Sequence, residues 1–259
     1  MTSSKILLAS ICCIFLAVAS PVATHAEAAD PRSCSGAGPQ SPRDIQSRAG
    51  TNSVSFAAAP AAADMHLCDI HFHKFAEHKA SGFSTLAGEA DHEGYVCAGH
   101  ETGGSALAGS VSDTQMGCGS IAAGDTVEVH WVFTTCDVDP GPKLDSCFSP
   151  LCVNPQLRVE AQVFYLTTGD EGALDFSTLA GTAPPPAEGA VQYLGSTTGP
   201  SFSDEVCSPV QATWNVRPTC EPLDLAGLDA WCDDNVFGES HAHGVRKLVT
   251  DVELLAEIE

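Results

Sequence analysis

Twelve cysteines are spread through this 259-residue chain, and they restrict where it can fold before any other feature does. A reducing cytosol rarely holds so many thiols in one chain unless they serve a metal cluster. No C-x-x-C pair occurs, so the spacing of a structural zinc site is missing. The N-terminus points the same way. Lys5 precedes an almost unbroken apolar run, Ile6 to Val18, and small residues then lead to Thr24-His25-Ala26. This reads as a signal peptide over residues 1–26. Its apolar run is shorter than the ~18 residues of a spanning helix, so no membrane insertion is expected after cleavage. Cys12 and Cys13 leave with it, and the remaining cysteines form an even set suited to disulfides. Spacing suggests Cys147 with Cys152 across a Phe-Ser-Pro-Leu turn, and Cys220 with Cys232 around a short loop.

Charge narrows the partners. Lys and Arg total 11 against 33 Asp and Glu, a formal charge of −22. Nucleic acids and anionic membrane surfaces select basic patches, so neither is expected as a partner. The chain is 44% hydrophobic, which is enough for a core and unlike a disordered acidic segment. The expected location is outside the cytosol: periplasmic, extracellular or in a secretory lumen.

Residues 27–64 are rich in Ala, Pro, Ser and Gly and read as an N-terminal lead-in of loop. Residues 65–259 read as one domain. Within it, "LCDIHFHKF", "TVEVHWVFTT", "LRVEAQVFYLTT" and "PVQATWNVRP" alternate apolar and polar residues, are β-branched or aromatic, and end at Gly, Pro or Asp. Helical periodicity is confined to "PLDLAGLDAWCDDNVF" and the acidic tail "DVELLAEIE". The fold class expected is mainly β with short helices.

Histidines carry the chemistry. His71 and His73 are two apart, so on a strand both point to one face. His130 lies mid-strand in "DTVEVHWVF". Two imidazoles from one strand and one from a neighbour make a tripod that leaves a fourth tetrahedral position open, the arrangement of a catalytic zinc site. Carboxylates stand where metal-bound imidazoles need partners for their second ring nitrogen: Asp69 two before His71, Glu128 two before His130, and Glu77 four after His73. The pattern His71-x-His73-x₃-Glu77 also fits the first metal motif of cupins, which bind iron or manganese for oxygenase or isomerase chemistry. The Pro-x-Gly and Asn of a second cupin motif are missing around His130.

These residues resemble a known family. "HFH", "AEH" and "EVHWV" occur in the order of the metal strands of α-class carbonic anhydrases. The chain is more similar still to the δ-class, through "CDIHFHKFAEHK", "NPQLRVEA", "GSTTGP" and "HAHGVR". With "GPQSPRDI" and Trp214 included, the resemblance spans roughly residues 34–250. It implies a central, mostly antiparallel sheet and zinc-dependent reversible hydration of carbon dioxide to bicarbonate and a proton. Zn²⁺ would be bound by His71, His73 and His130, with Co²⁺ or Cd²⁺ also accepted. Thr198 falls on the family's gatekeeper threonine and Glu77 on the glutamate that accepts its proton. Asp69 and Glu128 stand behind the ligands. Val132 and Trp214, and more loosely Val163, match the apolar wall for carbon dioxide.

The same comparison suggests the disulfide Cys34–Cys207, and a pairing of the two histidine strands suggests Cys68–Cys136; Cys97 with Cys118 is expected as well. The resemblance has gaps. No counterpart of the α-class histidine proton shuttle is evident, with His66, His92 and His100 as alternatives. Lys74 replaces a tryptophan. His241 and His243 fall on a family packing segment and read as structural. A secreted homologue that binds metal without catalysis is the competing reading.

Overall fold

A computed structural model describes residues 34–88, 93–100, 118–119, 121–152, 154–181, 189–197, 202 and 205–259, all within one compact unit, Pro31–Glu259. The signal-peptide reading of residues 1–26, His92 and Thr198 lie outside these described residues.

Five strands lie side by side in the order β1 (His66–Lys74), β4 (Thr126–Thr134), β5 (Leu157–Thr167), β7 (Gln211–Asp224) and β6 (Val191–Ser196). β2 (Phe83–Ala87) and β3 (Gly94–Cys97) pair separately. In the large sheet only β5 and β7 run parallel; the other pairings are antiparallel. Helices α1 (Phe176–Leu179) and α2 (Leu225–Asp233) are short. The protein is mainly β, with one mixed sheet at its centre.

The period-two pattern sorts side chains onto two faces. On one face Val127, Val129, Trp131 and Phe133 of β4 cluster with Ile70 and Phe72 of β1 and with Leu228 and Trp231 of α2. Fully buried Phe72 and Phe164 each contribute about 1.5–3 kcal/mol there. On the other face Val132 packs with Val159, Val163 and Trp214. His71, His73, Glu128 and His130 alternate with the residues of the first cluster, which directs them to this second face. α2 covers the first face, so the three histidines are left facing a cavity on the second, with Glu128 buried beside them.

β1, β4, β5 and β7 are the strands expected from the sequence, but β7 continues beyond "PVQATWNVRP". Between Ala161 and Val163 of β5 the partner advances from Val216 to Cys220. Pro218 sits in that irregularity, where no ladder N–H is needed. The acidic tail departs from expectation. It has a single 3₁₀ turn, Val252–Leu254, and is otherwise extended. Its backbone groups go to the lead-in: Gln40 N donates to Leu254 O (2.7 Å), Asn52 N to Leu255 O (3.0 Å) and Ile258 N to Arg48 O (3.0 Å). Residues 34–61 contain no helix or strand, yet Gln40, Ser41, Arg43 and Ile45 are buried.

Five disulfides join Cys34–Cys207, Cys68–Cys147, Cys97–Cys220, Cys118–Cys232 and Cys136–Cys152. Cys34–Cys207 is the pair expected; the other four expectations are corrected. Cys97 and Cys220 belong to the cluster on one face of the sheet, Cys118 and Cys232 to the cluster on the other. Neither Cys97–Cys118 nor Cys220–Cys232 can form through a sheet. Cys68 sits in a bulge between Leu67, opposite Phe133, and Asp69, opposite Val132, while β4 ends at Thr134 opposite His66. Cys136 therefore lies well beyond Cys68 along the strand and closes on Cys152. Cys147, buried on the Cys68 side, is then unavailable to Cys152.

Candidate metal centre

The register of β1 on β4 builds the site. His71 lies directly opposite His130, and His73 follows on the same face. Ring centroids are 5.3 Å apart for His71 and His73, 5.0 Å for His71 and His130, and 4.8 Å for His73 and His130. One ring nitrogen from each lies within 4.8 Å of the others, so this group can hold a metal ion.

Each ring turns its other nitrogen to a partner. His71 Nδ1 donates to Asp69 Oδ2 (2.8 Å), His73 Nδ1 to the Gly244 carbonyl (3.0 Å) and His130 Nε2 to Glu128 Oε1 (3.0 Å). Those bonds select the tautomers and leave Nε2 of His71, Nε2 of His73 and Nδ1 of His130 facing inward. The His71 Nε2 to His130 Nδ1 distance is 3.2 Å. Zinc–nitrogen bonds of 2.0–2.1 Å at a tetrahedral angle put two ligand nitrogens about 3.3 Å apart, so the spacing fits Zn²⁺. Two lone pairs at that distance repel unless a proton or cation lies between them.

Burial favours the neutral imidazole at two of the three rings. Burial, with His130 and His71 as neighbours, holds His73 well below the usual histidine range. Burial brings His130 down to about 4, against the opposing pull of Glu128. At His71 burial is outweighed by the Asp69 hydrogen bond and by the charges of Asp69, Glu239 and Glu77, and the ring is raised. Burial works against ionised Glu128 too, but His78 and His130 overcome it and hold the carboxyl well below its ordinary value. At Glu77 the Arg246 N–H hydrogen bond and the charges of His78 and His71 do not overcome burial. Burial, then the charge of Glu128, pushes it up to about 7.

Glu77 stands behind the tripod. Its Oε1 accepts from Arg246 N (3.0 Å) and lies 3.5 Å from His73 Nδ1, the nitrogen turned outward. It does not join the inward set, so the cupin-like combination of His71, His73 and Glu77 is not assembled; the two-histidine, one-glutamate group that does lie within 4.8 Å is His78, Glu128 and His130, buried behind the tripod. Thr198 is not described; Thr197 before it lines the cavity and is pinned by Thr197 N to Val210 O (2.9 Å) and Ser208 Oγ to Thr197 O (2.7 Å).

The tripod opens on a cavity of about 420 Å³. Val132 and Trp214 line it, and Val159 lies between them: Val132 pairs with Val159 across β4–β5, and Val159 with Trp214 across β5–β7. Val163 is fully buried in the core, opposite Glu128, and does not line the cavity. His66, at the exposed start of β1, and His100, stacked on Tyr165 at 3.9 Å, do not line it either.

Two histidines have places that the sequence reading did not give them. His78, fully buried, donates from Nδ1 to Glu128 Oε1 (2.6 Å) and accepts at Nε2 from the Tyr193 hydroxyl (2.7 Å), extending the chain of bonds behind His130. It was visible in "AEH", although nothing local gives it a partner. His243 corrects its structural reading in part. Its backbone packs beside β1, but its ring lines the cavity 6.0 Å from His71 and 5.9 Å from His73, paired with Glu239 Oε1 at 2.8 Å.

A family model described as delta carbonic anhydrase matches residues 62–227. No curated protein matches the sequence. Among solved structures, the chain is similar to a fungal alpha carbonic anhydrase from Aspergillus oryzae, with 13% identity and a TM-score of 0.30, over 73% of this chain and 60% of that one. It therefore spans less than two thirds of that enzyme's length. A hyperthermostable carbonic anhydrase from a hydrothermal vent chimney matches at 13% identity and TM-score 0.32, over 81% of this chain and 84% of that one. The alpha carbonic anhydrase of Thermovibrio ammonificans, solved with the inhibitor sulfanilamide, matches at 14% and 0.26 over the same shares.

Proposed function

The chain belongs to the delta carbonic anhydrase family, and from that premise we propose that it catalyses zinc-dependent reversible hydration of carbon dioxide to bicarbonate and a proton. The observation that carries the reading is the tripod: three inward nitrogens with fixed tautomers, open on one side to a cavity with an apolar floor. His71, His73 and His130 would hold Zn²⁺, which when bound would supply a Lewis acid that makes water nucleophilic near neutral pH. Co²⁺ or Cd²⁺ would use the same donors.

The chain's own residues do the rest. Asp69, the Gly244 carbonyl and Glu128 keep the rings oriented, and three neutral imidazole donors cancel none of the charge of an ion. Val132, Val159 and Trp214 offer an apolar surface to carbon dioxide, an apolar molecule that gains nothing from charged walls. Thr198 and Glu77 take the orienting role by resemblance. In that role Glu77 would accept from the threonine hydroxyl, which would leave the threonine oxygen to accept from the nucleophile. A dication bound at the tripod would stabilise the Glu77 anion despite its burial.

The proposed location is outside the cytosol, after removal of a signal peptide over residues 1–26. Five disulfides support it, since such pairs persist in oxidising compartments. N-terminal sequencing of the secreted product tests the cleavage. No helix among the described residues is long and apolar enough to cross a membrane.

Stopped-flow carbon dioxide hydration on zinc-loaded protein tests the activity. The expected result is turnover with about one zinc per chain, lost in His130→Ala. Bound zinc without turnover would leave a metal-binding homologue. Failure to bind zinc would remove the site.

A further inference from the structure

We infer that Glu239 is a positioning residue for the metal centre, whose carboxylate locks the outer edge of the strand carrying His71 and His73. The inference rests on the metal-centre reading above.

Among the described residues β1 is the terminal strand of its sheet, with β4 on one side. A terminal strand presents a row of unpaired N–H and C=O groups and is free to flex. Residues 239–244 fill that row where the ligands stand. Phe72, between the two histidines, donates its N–H to Glu239 Oε1 (3.3 Å) and accepts at its carbonyl from His243 N (2.8 Å). Lys74 N donates to His243 O (3.0 Å), and His73 Nδ1 to the Gly244 carbonyl (3.0 Å). Both backbone groups of Phe72 are therefore taken, one of them by a side chain.

That side chain is itself well held. Glu239 is buried, and His243 Nε2 donates to it at 2.8 Å. Asn235 grips its backbone: Asn235 Oδ1 accepts from Glu239 N (3.0 Å), while Asn235 Nδ2 donates to Glu239 O (2.7 Å) and to Trp231 O (2.9 Å) in the last turn of α2. α2 is cross-linked by Cys118–Cys232 and packed on the core through Leu228 and Trp231. A continuous run of contacts thus leads from the core through α2, Asn235 and Glu239 to Phe72. Metal ligands must be held within about 0.5 Å of their working geometry. A slack β1 edge would shift His71 and His73 against His130, which the sheet interior holds. Glu239 acts on the ligand strand through its backbone, so its influence belongs to metal affinity.

The test compares zinc dissociation constants of wild type, Glu239→Ala and Glu239→Gln by competition with a chromogenic chelator, with thermal unfolding of each metal-free protein alongside. Loss of the carboxylate is expected to weaken zinc about tenfold. Glutamine can offer its amide oxygen to Phe72 N and its NH₂ to the other tautomer of His243, and is expected to stay within roughly threefold of wild type. A role confined to folding would lower the unfolding temperature without this rescue in affinity. Wild-type affinity in Glu239→Ala overturns the inference. So does Glu239→Gln binding as weakly as Glu239→Ala, because charge rather than alignment would then be at work. A wild-type protein that takes up no zinc sinks the metal centre itself, a distinguishable result. If Glu239→Ala fails to fold, amide exchange in the wild type decides: Phe72 should be protected with the core, and exchange at the rate of an open loop overturns the inference.

Discussion

Replacing Glu128 by glutamine should weaken zinc binding and leave the fold intact. The carboxylate is fully buried and accepts from four donors. Oε2 takes the backbone N–H groups of Glu77 (2.6 Å) and His78 (3.1 Å); Oε1 takes the rings of His78 (2.6 Å) and His130 (3.0 Å). A glutamine amide keeps one oxygen. Backbone amides have no second tautomer, so that oxygen must stay at Oε2, and the NH₂ then faces both imidazoles. His78 can adapt by moving its proton to Nε2 and donating to the Tyr193 oxygen, 2.7 Å away. His130 cannot. To accept from the NH₂ at Nε2 it must carry its proton on Nδ1, the nitrogen aimed at His71 and at the ion. The variant therefore either loses a ligand or sets two N–H donors against each other. An unsatisfied buried donor costs about 1–3 kcal/mol. At 1.4 kcal/mol per decade, the zinc dissociation constant should rise roughly 5- to 150-fold. Chelator competition on metal-free protein measures it, and thermal unfolding reports whether the fold survives. If Glu128→Gln holds zinc within about twofold of wild type, His130 does not ligate through Nδ1 and the tautomer argument is refuted.

Three further outcomes are expected. Val159→Phe fills the floor between Val132 and Trp214 and should cut carbon dioxide kcat/KM by on the order of tenfold with zinc content unchanged; an unaffected rate would mean the substrate rests elsewhere. A peptide map of the unreduced protein should contain Cys68 joined to Cys147 and Cys97 joined to Cys220, and a Cys68–Cys136 peptide would contradict the strand register. Removing Cys136–Cys152, a link across 16 residues, with paired serines should lower stability by about 3 kcal/mol in denaturant unfolding, and no change would show the loop already ordered without it.

The strands that carry the ligands were legible because their signal is local. Alternation along "CDIHFHKF" and "TVEVHWVF" puts Ile70, Phe72, Val129 and Trp131 on one face, and the histidines must then share the other. Val163 against Val159 shows where that reasoning stops. The two are four apart on one strand and share a face, so parity cannot separate them; the stagger of β4 and β7 puts Val159 at the cavity and Val163 opposite Glu128. The tail fails differently. Val252, Leu254, Leu255 and Ile258 have helical spacing, but the lead-in offers an extended partner for their backbone, and tertiary hydrogen bonds override the local preference.

The sequence by itself determined the strand faces and the three histidines that meet, because the period of a strand is written within about ten neighbouring residues. Only the tertiary structure decided which cysteines pair, which valine floors the cavity, and that Glu239 and His243 close the edge of β1 some 170 positions away. Such choices depend on sheet order and on which face each element covers, and no local pattern encodes contact between segments so far apart along the chain.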